Sequence, residues 1–174
     1  MVPFRASGGL IHVIVDTPRD SRNKYKFDEA TGLFKLSRIL PQGLHFPCDF
    51  GFIPQTRGED GDALDVALYT DSSSFVGCLM TVRLLGVINA QQTESGRNIR
   101  NDRLLAIPVT PVNKPKQRQL HDLPKLWLKD LEQFFIAYNA AHGRIFKPLS
   151  RRGSIAAMHA LRAGVTKYQE SSVV

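Results

Sequence analysis

Three aspartates fall within the six residues of the stretch Asp60-Gly61-Asp62-Ala63-Leu64-Asp65. Carboxylates held a few ångströms apart raise one another's pKa and destabilise the fold unless a cation neutralises them. Oxygen ligands on a short loop suit a hard divalent ion such as Mg2+ or Mn2+. The types and spacing of these residues therefore predict metal-assisted chemistry on a phosphate compound.

Two other interpretations of this acidic stretch have to be weighed. Runs rich in Asp and Gly are more often solvated turns than metal sites. An EF-hand loop is a second alternative, but it fails because Leu64 takes its fifth position and Asp65 its sixth, where Gly is needed. The apolar segment 66–69 favours the metal site, since it places the acids at the start of a buried strand.

The first two thirds of the chain have the pattern of a β structure. Residues 24–27 and 33–38 alternate polar and apolar side chains around a turn, which is typical of a hairpin. Further strands are predicted at 11–15, 64–69, 80–88 and 103–108. Many short strands separated by turn residues indicate a small closed barrel.

The last third of the chain has helical periodicity. Asp122 is predicted to cap a helix that has Pro124 in its first turn and ends near Gly143. Its core-facing stripe comprises Trp127, Leu131, Phe134, Phe135 and Tyr138. Ser154 is predicted to cap a second helix, with one face formed by Ile155, Met158, Leu161 and Val165. We therefore expect one α+β domain spanning residues 1–174.

Composition narrows the class of protein and its partners. The chain has 174 residues, 43% hydrophobic residues and a formal net charge of +7. No apolar run has the length of a membrane span, and the N-terminus lacks the apolar core of a secretory signal. We expect a cytoplasmic protein with two reduced thiols, Cys48 and Cys78. The basic residues form no dense run, so neither nucleic acid nor a membrane is expected as a partner.

The signature Asp60–Val66 resembles that of family I soluble inorganic pyrophosphatases, with Ala63 as a departure at the fourth place. Other segments resemble the family in the same order along the chain, from about residue 9 to residue 170. They are 21–25, 46–54, 86–88, 105–108, 122–124 and 134–138. Several motifs in the family's order are more specific than the acidic signature alone.

The resemblance implies an OB-like five-stranded closed β-barrel with two flanking α-helices near the C-terminus. It also implies Mg2+-dependent hydrolysis of inorganic pyrophosphate to two orthophosphates, with Mn2+ as a possible substitute for Mg2+. A homohexamer is expected from the prokaryotic members. Two alternatives stay open: a hydrolase of another phosphoanhydride, such as a nucleotide or polyphosphate, and a non-catalytic OB-like binding module.

The resemblance also assigns roles to particular residues. Asp62 takes the place of the general base. The metal ligands are Asp60, Asp65, Asp16 (usually Glu in the family), Glu94 and a second acid in segment 91–103. The register leaves this second acid at Asn101 or Asp102, and Asp102 is favoured because an amide would weaken the site. The phosphate-binding residues are Lys24, Arg38, Arg103 (in place of Lys) and Tyr138.

The sequence departs from the family pattern at four further positions. Lys26 stands where the family has Glu, and Asn139 stands where it usually has Lys. Phe46 and Phe50 replace two tyrosines, so two hydroxyl donors are missing. These changes predict that the metal-binding end of the site is kept and that the phosphate-binding end is altered.

Overall fold

The computed structural model describes residues 4–171. Its nine strands are β1 (Ile11–Thr17), β2 (Asn23–Asp28), β3 (Leu33–Ile39), β4 (Asp49–Phe52), β5 (Asp65–Leu68), β6 (Leu79–Glu94), β7 (Arg97–Arg100), β8 (Arg103–Pro108) and β9 (Ile145–Gly153). Its two α-helices are α1 (Lys125–Ala140) and α2 (Ser154–Ser171).

Five of the strands close into a ring. Their hydrogen-bonded order is β1–β4–β5–β8–β6, and β6 pairs back with β1. The β5–β8 pair is parallel and the other four are antiparallel. The closed barrel predicted from the strand pattern and the five strands implied by the resemblance are therefore confirmed.

The remaining strands extend this barrel. β2 and β3 form the predicted hairpin as a separate two-stranded sheet. β6 is 16 residues long and continues past the ring. Its second half pairs with β7 on one edge and with β9 on the other, so it brings residues far apart in the sequence to one end of the barrel.

Two hydrophobic clusters lie on opposite faces of the strands. In β5, Ala67 belongs to the cluster that contains Leu131 and Phe135 of α1. Its neighbours Val66 and Leu68 belong to the cluster that contains Leu161 of α2. Both faces of β5 are buried, and the acidic stretch that leads into it therefore ends at a fixed point.

The structure corrects three details of the prediction. Asp122 does not cap α1, because its carboxylate accepts the N–H groups of Arg118 and Gln119 at a preceding 3₁₀ turn. α2 begins at Ser154, but Ile155 is 77% exposed. Strands β4, β7 and β9 were not predicted, since each lacks a clear alternating pattern or, in β9, contains Pro148.

Two further predictions concern the state of the cysteines and the absence of a membrane-spanning segment in the described residues. Cys48 and Cys78 are both free, and burial raises the pKa of Cys48 to about 12. Within residues 4–171, no helix has both the length and the apolar character needed to span a bilayer.

We predict that Gly51→Ala destabilises the barrel strongly. Gly51 pairs with Val15 across the β1–β4 ladder, and a Cβ there would lie 2.3 Å from the Ile14 carbonyl oxygen. Because a tightly packed backbone cannot move aside, the free energy of unfolding should fall by about 3 kcal/mol or more. Urea unfolding followed by circular dichroism measures the loss.

Gly153→Ala is the matched control for this substitution. Among residues 4–171, a Cβ at Gly153 meets nothing within 4 Å. Its unfolding midpoint should stay near that of the unsubstituted protein. Equal midpoints for the two variants would contradict the close approach of β1 and β4.

Candidate active site

The acidic loop, residues 57–65, joins β4 to β5 and is held by its own backbone. The Gly58 N–H donates to the Asp62 carbonyl at 2.7 Å, and the Asp62 N–H donates to Asp60 Oδ1 at 3.1 Å. Gly61 has a φ of +87° at the tip of the turn, which glycine adopts without strain. The turn thus holds Asp60 and Asp62 close together at the surface.

Helix α2 supports this loop from behind. The Arg57 N–H donates to the Gly164 carbonyl of α2 at 2.9 Å. A Cβ on Gly164 would come within 2.6 Å of Leu64 Cδ1, so the loop packs directly on the helix backbone. The Leu64 N–H also donates to Thr56 Oγ1 at 3.0 Å. The second helix therefore fixes the position of the acidic loop.

A cleft of about 250 Å³ opens above the acidic loop. Most of the predicted site residues line it, although they come from distant segments of the chain. They are Lys24, Arg38, Asp60, Asp62, Asp65, Glu94, Arg103 and Tyr138. The cleft is thus the place where the acidic loop meets the predicted phosphate-binding residues.

Arg103 lies at the floor of this cleft and is only 5% exposed. Its Nη1 lies 2.7 Å from Asp65 Oδ2 and also donates to the Asn101 side chain. Its guanidinium carbon is 4.9 Å from the centre of the Phe135 ring, which adds a cation–π contact. Packing against an aromatic ring and pairing with Asp65 hold this cation in one orientation.

Lys24 pairs with a carboxylate below the cleft. Its Nζ lies 2.7 and 2.8 Å from the two oxygens of Asp16, which is 5% exposed. Burial raises the pKa of Asp16, and the ammonium group of Lys24 opposes that rise. Asp16 does not line this cleft, but it lines a neighbouring pocket with Lys26, Asp62 and Asp65.

The two phenylalanines that replace tyrosines are buried. Phe46 is 1% exposed and Phe50 is 3% exposed, so neither offers an open surface for stacking a base. Lys24 Nζ lies 4.6 Å from the Phe50 ring centre and 5.6 Å from that of Phe46. Ring faces thus contact the lysine at a position where hydroxyl donors were expected.

Arg38 and Tyr138 lie on other walls of the cleft. Arg38 is the cross-strand partner of Lys24 in the β2–β3 hairpin, and its Nη1 is buried with no hydrogen-bond partner among the described residues. Buried donors of this kind are rare in folded proteins and indicate a site for an acceptor. The Tyr138 ring packs against Phe134 and Phe46. Next to Tyr138, Asn139 is 1% exposed and its side chain donates to the Phe135 carbonyl. Asn139 therefore does not take over the role of the lysine that the family usually has at this position.

The structure places Asn101, and not Asp102, on the wall of the cleft. Asn101 and Arg103 are two residues apart at the start of β8, so they share one side of the chain while Asp102 points to the other. The Asp102 carboxylate accepts from the Ala90 N–H at 2.9 Å and pairs with Arg100 Nε at 2.5 Å. The Asp102 carboxylate thus contacts Ala90 and Arg100 on the side of the chain that faces away from the cleft.

Gln92 and Arg144 also line the cleft, although the sequence did not predict them as site residues. Gln92 lies on the same face of β6 as Glu94, a signal that period-two alternation could have revealed. Arg144 lies in the α1–β9 connection, and its Nη2 is 2.7 Å from Glu94 Oε1. No local motif marks Arg144, because the antiparallel pairing of Thr93 with Ile145 is what brings it to the site.

The electrostatics of the acidic loop centre on Asp60. Although its side chain reaches the surface, packing in the loop partly desolvates the carboxylate, and this together with nearby Asp65 raises its pKa to about 6. Among the carboxylates that line the cleft in residues 4–171, Asp60 alone makes no salt bridge. A divalent cation would relieve this charge repulsion.

The predicted metal ligands fit a divalent ion only in part. Asp60 and Asp65 place hard oxygen donors on the same cleft wall, which suits one ion. The ligand roles of the other acids stay predictions. Asp16 pairs with Lys24 and Glu94 with Arg144, as Asp65 pairs with Arg103. Asp102 borders a neighbouring pocket with Asp60 and Asp65 and does not line this cleft. In the described part of the chain, no group of three or more His, Cys, Asp or Glu side chains could hold a metal ion.

Comparison with known proteins places this cleft in a family. A family model for inorganic pyrophosphatase matches residues 13–169. The inorganic pyrophosphatase of Geobacillus stearothermophilus is 30% identical to this chain over 161 residues, which cover 92% of this chain and 95% of that protein. The inorganic pyrophosphatase of Synechocystis is 29% identical over 168 residues, covering 97% of each.

Solved structures agree with the sequence comparison. The crystal structure of inorganic pyrophosphatase from Thermus thermophilus superposes with a TM-score of 0.87 at 27% identity and covers 97% of both chains. That from Neisseria gonorrhoeae gives a TM-score of 0.86 at 29% identity, covering 97% of this chain and 96% of the other. The chain belongs to the inorganic pyrophosphatase family.

We predict that Arg103→Met lowers the free energy of unfolding by about 3 kcal/mol at neutral pH. The substitution leaves Asp65, whose side chain is 25% exposed, without its cation partner in a partly dry site. Urea denaturation measures the change.

Lys35→Met is the matched control, since it breaks an ion pair with Asp28 whose lysine is 62% exposed. Exposed pairs contribute about 1 kcal/mol or less, so this loss should be small. If Arg103→Met cost no more than Lys35→Met, the Arg103–Asp65 pair would not be a structural element of the site.

Proposed function

We propose that this chain hydrolyses inorganic pyrophosphate to two orthophosphates. The observation that carries the proposal is the convergence of the acidic loop and the predicted phosphate-binding cations on one cleft. The acidic loop, the β2–β3 hairpin, β8 and α1 each contribute side chains to this cleft. Membership of the inorganic pyrophosphatase family supports the same reaction.

The cations of the cleft would bind and orient the substrate. Arg38 offers a buried Nη1 that lacks a partner among the described residues, and its planar guanidinium suits phosphate oxygens. Lys24 and Arg103 carry positive charge toward the same space, where they would neutralise charge that develops on the leaving phosphate. The Tyr138 hydroxyl is the proposed donor to a terminal phosphate.

Asp62 is the proposed general base. It lies at the open tip of the acidic loop, where its carboxylate can accept a proton from an attacking water. Lys26 Nζ lies 2.6 Å from Asp62 Oδ1, and the two side chains are 57% and 53% exposed. Because an exposed pair of this kind is weak, Lys26 can leave Asp62 when an anion enters.

Mg2+, with Mn2+ as a substitute, is the proposed cofactor, held by Asp60 and Asp65. Bound there, it would lower the pKa of a water molecule and polarise a phosphoryl oxygen. The predicted ligand roles of Asp16, Glu94 and Asp102 gain no support from their contacts.

We further propose a homo-oligomer, a hexamer by resemblance, in the cytoplasm. Exposed apolar side chains on β9 and α2, which follow each other in the chain, favour assembly. Ile145 is 67%, Leu149 is 49% and Ile155 is 77% exposed on β9 and the start of α2. Such residues are commonly buried in subunit contacts, and light scattering after size-exclusion chromatography measures the mass of the assembly.

The expected effect of Asp62→Asn is a fall in kcat of about 100-fold or more with little change in fold, because the amide cannot take the proton. Phosphate release from pyrophosphate with Mg2+ measures it. Asp130→Asn, at an exposed aspartate on α1, is the matched control and should keep full activity.

A substrate panel distinguishes the alternatives left open by the sequence. Pyrophosphate, tripolyphosphate and ADP are each supplied with Mg2+ and then with Mn2+. Release of phosphate from pyrophosphate in preference to the others supports the proposal. Release only from tripolyphosphate or ADP would identify a hydrolase of another phosphoanhydride. No release from any of the three compounds would identify a non-catalytic binding module.

A further inference from the structure

Lysine and arginine side chains already neutralise most of the carboxylates at this site. Each of four acids at or below the cleft forms a salt bridge with a different cation, at 2.6 or 2.7 Å. The pairs are Lys24–Asp16, Lys26–Asp62, Arg103–Asp65 and Arg144–Glu94. The protein therefore supplies within its own chain much of the positive charge that an acidic metal site takes from ions.

A pair of neutral amides lies on the wall between Glu94 and Arg103. Asn101 Nδ2 donates to Gln92 Oε1 at 2.9 Å, and both residues line the cleft. Gln92 is 7% exposed, so the pair is part of the packed wall. Amides bring no negative charge, and here the Gln92 oxygen accepts from Asn101 while the Asn101 oxygen accepts from Arg103, so this wall does not attract a divalent cation.

The cleft consequently lacks the excess of negative charge that would load metal ions. Five cationic side chains line it, against four carboxylates. Among the described carboxylates that line the cleft, only Asp60 lacks a salt bridge. A divalent ion that entered alone would therefore have to displace a lysine or arginine to gain a second ligand, and it would meet the remaining cations. A polyanion would meet the opposite situation, because an exposed lysine or arginine can turn from a carboxylate to a phosphate oxygen.

Two of these cations are placed to make that exchange. The Lys26 side chain is 57% exposed and that of Arg144 is 26% exposed, whereas that of Arg103 is 6% exposed and fixed. Ion pairs at the surface contribute little, so releasing Lys26 from Asp62, or Arg144 from Glu94, costs little. Arg38 adds the buried Nη1 that has no partner among the described residues.

We propose that this cleft binds the pyrophosphate anion directly through Lys26 and Arg144, before and without any bound metal ion. The inference rests on the proposed function for its substrate class. Lys26 and Arg144 take charge-neutralising positions that metal ions would otherwise hold. A divalent cation needed for turnover then enters with the substrate, at Asp60 and Asp65.

Calorimetric titration of imidodiphosphate, a non-hydrolysable analogue, into the full chain in EDTA at low salt tests this proposal. The unsubstituted protein should bind one analogue per chain. Lys26→Gln and Arg144→Gln should each weaken binding about tenfold or more, because each removes a charge-assisted contact to phosphate.

Arg151→Gln is the matched control for these variants. Arg151 pairs with Glu132 at 2.7 Å, as Arg144 pairs with Glu94, but it lies outside the cleft. Its loss should leave the affinity for the analogue unchanged. Circular dichroism of each variant confirms that the protein titrated is folded.

Two results would overturn the inference. One is a folded, unsubstituted protein that binds no analogue in EDTA, and the other is equal affinity in Lys26→Gln, Arg144→Gln and Arg151→Gln. Phosphate release with Mg2+ is measured separately, so the two proposals fail in distinguishable ways. Turnover without metal-free binding would refute only this inference, and metal-free binding without turnover would refute only the proposed reaction.

Discussion

Carboxylates that converge on a small cleft must be neutralised, and this requirement shapes the site. The closed strand ring and α2 fix the acidic loop so that Asp60, Asp62 and Asp65 cannot move apart. Like charges held at such short range oppose folding unless cations lie beside them. The chain meets much of this requirement with its own lysines and arginines, of which Arg103 is the most deeply buried.

This internal neutralisation gives a physical account of the departures from the family pattern. Lys26 in place of an acid makes sense because it pairs with Asp62. Gln92 and Asn101, joined by a hydrogen bond, add a neutral pair to the wall of the same cleft. Phe46 and Phe50 make ring contacts with Lys24 that tyrosines would also make, and they lack only the two hydroxyl groups. Lys26 is thus the departure that changes the charge of the cleft, and the retention of the metal-binding end stays a prediction.

The sequence predicted much of the fold because local patterns determine it. β8 was predicted with its observed bounds, and the β2–β3 hairpin follows from alternation around a turn. β9 was missed because Pro148 interrupts it and because its partner, β6, lies about fifty residues earlier. Arg144 was missed for the same reason, since only this long-range pairing brings it beside Glu94. The choice between Asn101 and Asp102 depended on strand register, which the ambiguous loop length concealed.

The central claim is that side-chain cations replace part of the metal complement of this site. Counting the Mn2+ ions bound per chain in the absence of any phosphate compound, by electron paramagnetic resonance of free Mn2+ at equilibrium, tests it most directly. The account predicts at most one ion per chain, weakly held at the acidic loop. Tight binding of several Mn2+ ions to the anion-free protein would contradict it.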